Sequence, residues 1–393
     1  MNELLLGTAS AIFTPPLGTL MAGFGFRDHG AEDVLDDLEL RVFLLKDGED
    51  AVCIVTADLI GFGAEATQLL RQEIHEANGV DPTKVLLCAS HTHCGPQLLS
   101  HIPGAGGPLN EAVLADLQEK VKTAARQAQD NLTPVKMSWG ESSLSGFAIN
   151  RRRKTPEGFV NAPNPFGRRD DTVTAIQFND NKDNTLRAVL FSYTCHPTTL
   201  GGYQFSGDYP GAARRALEKQ TGAIAGFLPG CFGDVRPNCT VMGSGRFRSG
   251  NPTDIEDYGA ALANSVMNAG KSTFPLTPKL DGFCDEVILP LQTESDSRAL
   301  PLQRLDLAEE FSIIAMGGEI CVDYGHYIKG LSNTRRILPL GYSNDVIAYI
   351  PTVQILSEGG YEAETSCPLF GLSSPFKPDL EDLVKNAVRK IVE

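Results

Sequence analysis

Val85-Leu86-Leu87-Cys88-Ala89-Ser90-His91-Thr92-His93-Cys94-Gly95-Pro96 starts as five apolar residues and then turns abruptly polar. A continuous apolar run of this length reads as a strand buried on both faces. Upstream, the apolar runs 40–45 and 51–54 flank Lys46-Asp47-Gly48-Glu49-Asp50, which reads as a β-hairpin with Asp-Gly at its turn. Between hairpin and strand, residues 65–77 place Leu69, Leu70 and Ile74 on one stripe and stop at Asn78-Gly79, a helix with its glycine terminator. Strand, helix and strand in this order predict a parallel pair in an α/β fold.

The same grammar continues downstream. Helices are predicted at 111–129, 211–220, 255–269, 319–328 and 379–392, and strands at 135–139, 172–178, 188–194, 223–228, 285–291, 312–316 and 337–340, with an Asn/Asp turn at 179–184. No internal repeat or low-complexity linker interrupts the pattern. The expectation is an α/β architecture of mixed β-sheets, two in number, flanked by α-helices, in a single large domain over residues 1–393 with no C-terminal β-sandwich domain.

Composition narrows the function classes. The chain has 393 residues, is 42% hydrophobic and carries a formal net charge of −15. That is apolar enough for a sizeable core, and too acidic for nucleic-acid binding driven by phosphate contacts. The one basic run, Arg151-Arg152-Arg153-Lys154, reads locally as a solvated loop. Nine cysteines form no C-x-x-C pair and several sit in apolar runs, so free thiols in a reducing, cytoplasmic setting are expected. The first basic residue is Arg27, so the start lacks the charged region of a signal peptide, and no apolar run reaches the roughly 20 residues of a membrane helix.

Chemistry concentrates where strands end. In open α/β sheets ligands bind beyond the carboxyl ends of strands, and His91 and His93 stand just past such an end. Thr194-Cys195-His196-Pro197 repeats the arrangement, so three of seven histidines leave two strands. Neutral imidazole is a common metal ligand, and catalytic zinc typically takes three protein ligands. An H-x-H pattern also fits two hydrogen-bonded surface histidines. His29, His75, His101 and His326 read as loop or helix-surface residues.

Gly317-Gly318-Glu319 follows another apolar strand. Glu319 reads either as a metal ligand or as a carboxylate favoured at a helix start. Tyr342, Tyr349 and Tyr361 lie in a tyrosine-dense late segment, as core residues or as phenols able to donate to an oxyanion. In Pro229-Gly230-Cys231-Phe232-Gly233-Asp234-Val235-Arg236-Pro237-Asn238, Asp234 is placed to act as a base or to orient a histidine.

Taken together these segments resemble the catalytic domain of the neutral/alkaline non-lysosomal ceramidases, zinc-dependent amidases. The resemblance runs through Gly7-Thr8-Ala9-Ser10-Ala11, Thr14-Pro15-Pro16, Gly23-Phe24-Gly25, Ser90-His91-Thr92-His93, Asn150-Arg151, His196, Gly233-Asp234-Val235, Gly318-Glu319 and the segment from Tyr349 to Tyr361, in the family's order. It implies that His91, His196, Glu319 and Tyr349 hold one Zn2+. It further implies that His93, Arg151 and Tyr361 surround the scissile carbonyl. Beside these, Asp234 is expected as a further catalytic residue, and Gly25 and Arg236 on the substrate side.

The expected function is therefore that of a zinc-dependent hydrolase. It would cleave the C–N amide bond of a small or N-acyl substrate with a zinc-activated water. Where the ceramidases carry Gly-Asp-Val-Ser-Pro-Asn, with the serine in the active site, this chain has Arg236, a cation suited to an anionic substrate group. Two other readings remain open at the level of sequence. One is a two-metal phosphoesterase using Asp58, Asp208 and Asp234 with the histidines; the other is a non-catalytic metal-binding protein of the same fold.

Overall fold

The computed structural model describes residues 3–99 and 109–393; His101 lies outside the described residues. Strands run, in spatial order, Ile224–Pro229, Leu186–Tyr193, Thr172–Asp180, Thr133–Ser143, Leu5–Ile12, Glu39–Asp47, Asp50–Ala57 and Val85–Ala89, with Thr273–Pro275 attached to Thr133–Ser143. The two outermost pairs are parallel, Asp50–Ala57 with Val85–Ala89 and Leu186–Tyr193 with Ile224–Pro229. The pairs between them are antiparallel.

One joint lets this sheet fold over itself. Leu5–Ile12 meets Thr133–Ser143 only through Leu5 with Pro134 and Leu6 with Thr133, so the two halves act as separate sheets hinged at a corner. Phe43, Ile54, Leu86, Ile176, Leu190 and Leu228 fill the layer between the halves. Gly226 permits the close approach, because a Cβ there would lie 2.6 Å from the Phe43 ring and 2.8 Å from Leu190. Alternation along Glu39–Asp47 does the rest: Phe43 and Leu45 face the inner layer, while Val42 and Leu44 face the helices outside.

Helices cover both outer faces. Ala64–Asn78 and Glu111–Asp130 pack Leu70, Ile74, Leu117 and Val121 on the first half, and Asp208–Thr221 and Pro252–Ala269 pack Ala213, Leu217, Leu262 and Val266 on the second. A further four-stranded sheet, Pro278–Pro290, Ser297–Ala308, Phe311–Met316 and Arg336–Leu340, seals the inner layer with Leu305, Phe311, Ile313 and Leu338. The terminal helix Leu380–Val392 turns Leu380, Val384, Val388 and Ile391 inward.

The hairpin turns at Gly48, φ 62°, as its Asp-Gly signal predicts. Several local expectations need correction. Leu69 is 37% exposed, and the buried stripe of Ala64–Asn78 is Ala66, Thr67, Leu70 and Ile74. Residues 319–328 are not one helix: Glu319–Ile320 is a short strand, and the helix is Val322–Lys329. The basic run is a strand, Ala148–Thr155, paired with Gly158–Asn164 and Val235–Pro237, and it buries Arg151 and Arg152. Periodicity missed it because charged side chains occupy its inward positions. Leu5–Ile12 and Ser297–Ala308 were also unforeseen strands. No helix among the described residues is long and apolar enough to cross a membrane, and all nine cysteines are free.

Candidate metal centre

The exit from Val85–Ala89 is a strained loop. His91 adopts φ 65°, unusual for a residue with a Cβ. Two carbonyls hold it there: its N–H donates to Leu59 (2.8 Å) and its ring Nδ1 to Ile60 (2.5 Å). His196, beyond Leu186–Tyr193, is fixed in the same manner, with its N–H on the Val235 carbonyl (3.2 Å) and its Nδ1 on that of Phe232 (2.8 Å). An imidazole that donates through Nδ1 presents an unprotonated Nε2, the form that binds metal.

Both Nε2 atoms point at one carboxylate. Glu319 Oε2 lies 3.6 Å from His91 Nε2 and 3.2 Å from His196 Nε2. His196 Nε2 and Glu319 Oε2 are buried without a hydrogen-bond partner. His93 Nε2 is 3.3 Å from His91 Nε2, and the nitrogens of His91, His93 and His196 all lie within 4.8 Å of one another. This three-histidine group could hold a metal ion. The orphaned donors fit such an ion well, since buried polar atoms without partners are rare.

Burial sets the electrostatics. It pushes His91 down to about 3, against the raising pull of Glu319, and pushes His93 and His196 well below the usual histidine value. It raises Glu319, opposed by His91, Arg151 and the Tyr349 hydroxyl. All three imidazoles are thus uncharged near neutral pH. Beneath them lies Tyr342, fully buried, its ring 4.1 Å from that of His91 and stacked on Phe232 at 4.2 Å.

The facing wall comes from the later part of the chain. Glu319–Ile320 pairs in parallel with Tyr349–Ile350, which sets Tyr349 beside Glu319, where its hydroxyl opposes the upward shift of the carboxylate. The Tyr361 ring crosses that of Tyr349 at 5.3 Å. Arg151 stands over both, its guanidinium carbon 5.2 Å and 5.4 Å from the two ring centres. Glu362 clamps it: Oε1 accepts from Arg151 Nε (2.7 Å) and Oε2 from Arg152 Nη1 (2.6 Å). Burial would raise Glu362, but Arg151 and Arg152 hold it below its ordinary value. A small pocket of about 50 Å³ opens between the walls, with Ile60, Leu99, Val346, Leu369 and Phe370 as its apolar lining.

The structure brings His91, His93, His196, Glu319, Tyr349, Tyr361 and Arg151 together, and sets others apart. Asp234 orients no histidine: its carboxylate accepts from Asn150 Nδ2 (3.0 Å) and the Val322 N–H (2.8 Å), tying two elements together, and burial raises it to about 6. Gly25 is exposed on its turn; the close approach is made by Gly23, φ 101°, where a Cβ would lie 2.5 Å from the His93 ring. Asp58 and Asp208 are held elsewhere, Asp58 by Arg214 and the Glu39 N–H, and Asp208 by the N–H groups of Thr199, Leu200 and Tyr209. A second metal therefore has no ligand set among these aspartates. Of the two readings for Tyr342, the structure bears out the core one. Glu362 was missed as a site residue; an acidic residue next to Tyr361 and facing the buried basic run was the available signal. His29, His75 and His326 are loop and helix residues bonded to near neighbours or, for His326, to the Arg169 carbonyl.

Residues 5–275 match the family description "Neutral/alkaline non-lysosomal ceramidase, N-terminal". The chain belongs to this family. Among solved structures, the neutral ceramidase from Pseudomonas aeruginosa superposes with a TM-score of 0.81 at 16% identity, over 99% of this chain and 74% of that one. A structure described as ceramidase complexed with C2 gives 0.81 at 15%, with the same coverage. At such identity the likeness establishes the fold. This ceramidase-family protein thus has a hydrolase family's mixed α/β architecture and, at its strand exits, a cluster able to hold a metal.

Proposed function

We propose that this protein is a zinc-dependent hydrolase that cleaves the C–N bond of an N-acyl substrate. The observation that carries the reading is the convergence of two carbonyl-fixed histidines on one unpartnered carboxylate oxygen beside a phenol pair. His91, His196 and Glu319 would hold the ion, with Tyr349 alongside. His93 is left out of the ligand set because neither of its ring nitrogens is anchored on a carbonyl or carboxylate, the usual support of a metal-bound histidine. A zinc ion held there would lower the pKa of a bound water to about 7, supplying a nucleophile at neutral pH.

The chain's own groups do the remaining work. His93 and Tyr361 stand where charge develops on the carbonyl oxygen and donate to it. Arg151, kept charged by Glu362, holds the Tyr349–Tyr361 pair in place and adds positive potential. Asp234 positions Asn150 and the helix Val322–Lys329 rather than moving a proton. The apolar pocket receives the acyl group. The free thiols favour a reducing compartment such as the cytoplasm.

The test is elemental analysis of freshly purified protein, followed by chelation and metal return while N-acyl turnover is measured. About one zinc per chain, with turnover lost on chelation and restored by zinc, is the expected result. About two metals with phosphate-ester turnover would favour the phosphoesterase reading, and bound metal with no turnover of any acyl substrate the non-catalytic one.

A further inference from the structure

We infer that this site takes a carboxylate-bearing amide, an N-acyl amino acid, and that Arg236 binds the carboxylate. The inference rests on the hydrolase reading above and adds the chemical class of its substrate.

Arg236 sits in the strand Val235–Pro237, opposite Ile149. The carbonyl of its neighbour Val235 holds the His196 N–H, and Arg236 Nη2 reaches the Thr198 carbonyl at 3.5 Å, two residues beyond His196. One face of the guanidinium lies 4.4 Å from the Phe247 ring centre. Its Nε is buried with no hydrogen-bond partner, and so is the hydroxyl of Thr198.

Arg236 is half-buried, and the fully buried arginines of this protein, Arg41 among them with Glu39 and Glu218, are all neutralised. Arg151 and Arg152 share Glu362, and Arg214 pairs with Asp58 and Glu39. Arg236 pairs with no carboxylate among the described residues, and the segment 100–108 contains no acidic side chain. Arg27, the other cation beside His93, also lacks one; it donates to the carbonyls of His93 (2.7 Å) and Gly202 (2.8 Å). A chain of net charge −15 has thus left two guanidiniums unneutralised around its metal-binding histidines. A charge partly withdrawn from water without a counter-ion is costly; partial burial and the nearby Arg151 push the Arg236 guanidinium down to about 10. An incoming anion removes that cost.

A carboxylate suits the free edge, since planar guanidinium N–H groups match its two oxygens. The geometry also says which end of the amide carries it. The pocket at His91, Tyr349 and Tyr361 has an apolar stretch, Ile60, Leu99, Val346, Leu369 and Phe370, and does not include Arg236. The acyl group belongs in that pocket, and the charge belongs on the amine side, as in an amino acid.

The experiment compares N-acylglycines, from acetyl upward, with the matched uncharged N-acylglycinamides. Binding by calorimetry and kcat/KM are measured on the metal-loaded wild type and on Arg236→Gln and Arg236→Lys, with metal content and melting temperature as folding controls. The wild type should prefer the acid at least about tenfold in both readouts, the preference shrinking with added salt. Arg236→Gln should bring the acid-to-amide ratio near one, and Arg236→Lys should keep part of it. Equal binding of acid and amide by the wild type, a preference that survives Arg236→Gln, or no binding of any acid overturns the proposal. Tighter binding of an N-acyl phosphoethanolamine than of the acids overturns the carboxylate assignment. Arg236-dependent binding without turnover upholds the anion site and overturns only the hydrolase reading. If Arg236→Gln fails to fold, loss or retention of the preference in Arg236→Lys and at high salt decides the matter.

Discussion

On one wall of the site, His91 and His196 are each fixed through Nδ1 by a main-chain carbonyl; on the other, Glu319, Tyr349, Tyr361 and Arg151 lean on one another and on Glu362. The first wall borrows its rigidity from strand exits of the folded-over sheet, where the backbone is already set by the ladder. In the second, Glu319 and Tyr349 come from segments that pair over only two residues, Glu319–Ile320 with Tyr349–Ile350, so their order depends on side chains. The difference teaches that the histidines of the first wall are preorganised by the fold, while the charged wall stands or falls with a few ion pairs.

Removing a ligand should be the largest disturbance. His196→Ala is expected to strip the metal and lower turnover by at least about 10³-fold while leaving the fold, because the carbonyls of Phe232 and Val235 stay in place. Elemental analysis beside kinetics reads both; metal retained at one per chain would break the comparison.

Next comes the clamp. Glu362→Gln leaves Arg151 buried without its anion and Arg152 with Glu358 alone, and should cost about 3–5 kcal/mol of stability by urea unfolding, with metal still bound. The pH dependence has a definite sign. Glu362 titrates below its ordinary value of 4.5, so its contribution is present above that value and is lost as the pH falls through the lowered one. The stability difference between wild type and Glu362→Gln should therefore narrow in acid, and a difference that does not change with pH would deny the clamp its charge.

A smaller effect should separate donors from ligands. Tyr361→Phe and His93→Ala are each expected to cut kcat by about 10²-fold while metal content stays near one per chain. Loss of metal in His93→Ala would instead move His93 into the ligand set with His91 and His196, a grouping their nitrogen spacing also allows. The smallest effect should come from Gly23→Ala, where a left-handed φ and the His93 ring both oppose a methyl group. About 1–3 kcal/mol of stability should be lost, with a displaced His93 seen as a fall in kcat rather than in metal.

How legible the molecule was from its sequence follows the same division. The hairpin at Gly48, the strand Val85–Ala89, the helices around it and the parallel pairing all lay in local periodicity, and so did the placing of His91, His93 and His196 past strand ends. Glu319 was found at a strand exit but given to a helix, because a two-residue strand has no period to read. Arg151 sat in what looked like a solvated basic run; its partner Glu362 is 211 residues away. Glu319, Tyr349, Arg151 and Tyr361 came together as one site only through the family resemblance, since no spacing joins them.

By itself, then, the sequence determined the α/β class, the free thiols and the histidine wall, because a side chain next to an apolar run takes its position from that run. Only the tertiary structure decided that Asp234 braces two elements instead of orienting a histidine, that Gly23 rather than Gly25 meets His93, and that Arg236 is left without an anion. Each of these is settled by which distant group fills a hydrogen-bonding or steric vacancy, and burial makes that choice across the whole chain rather than along it.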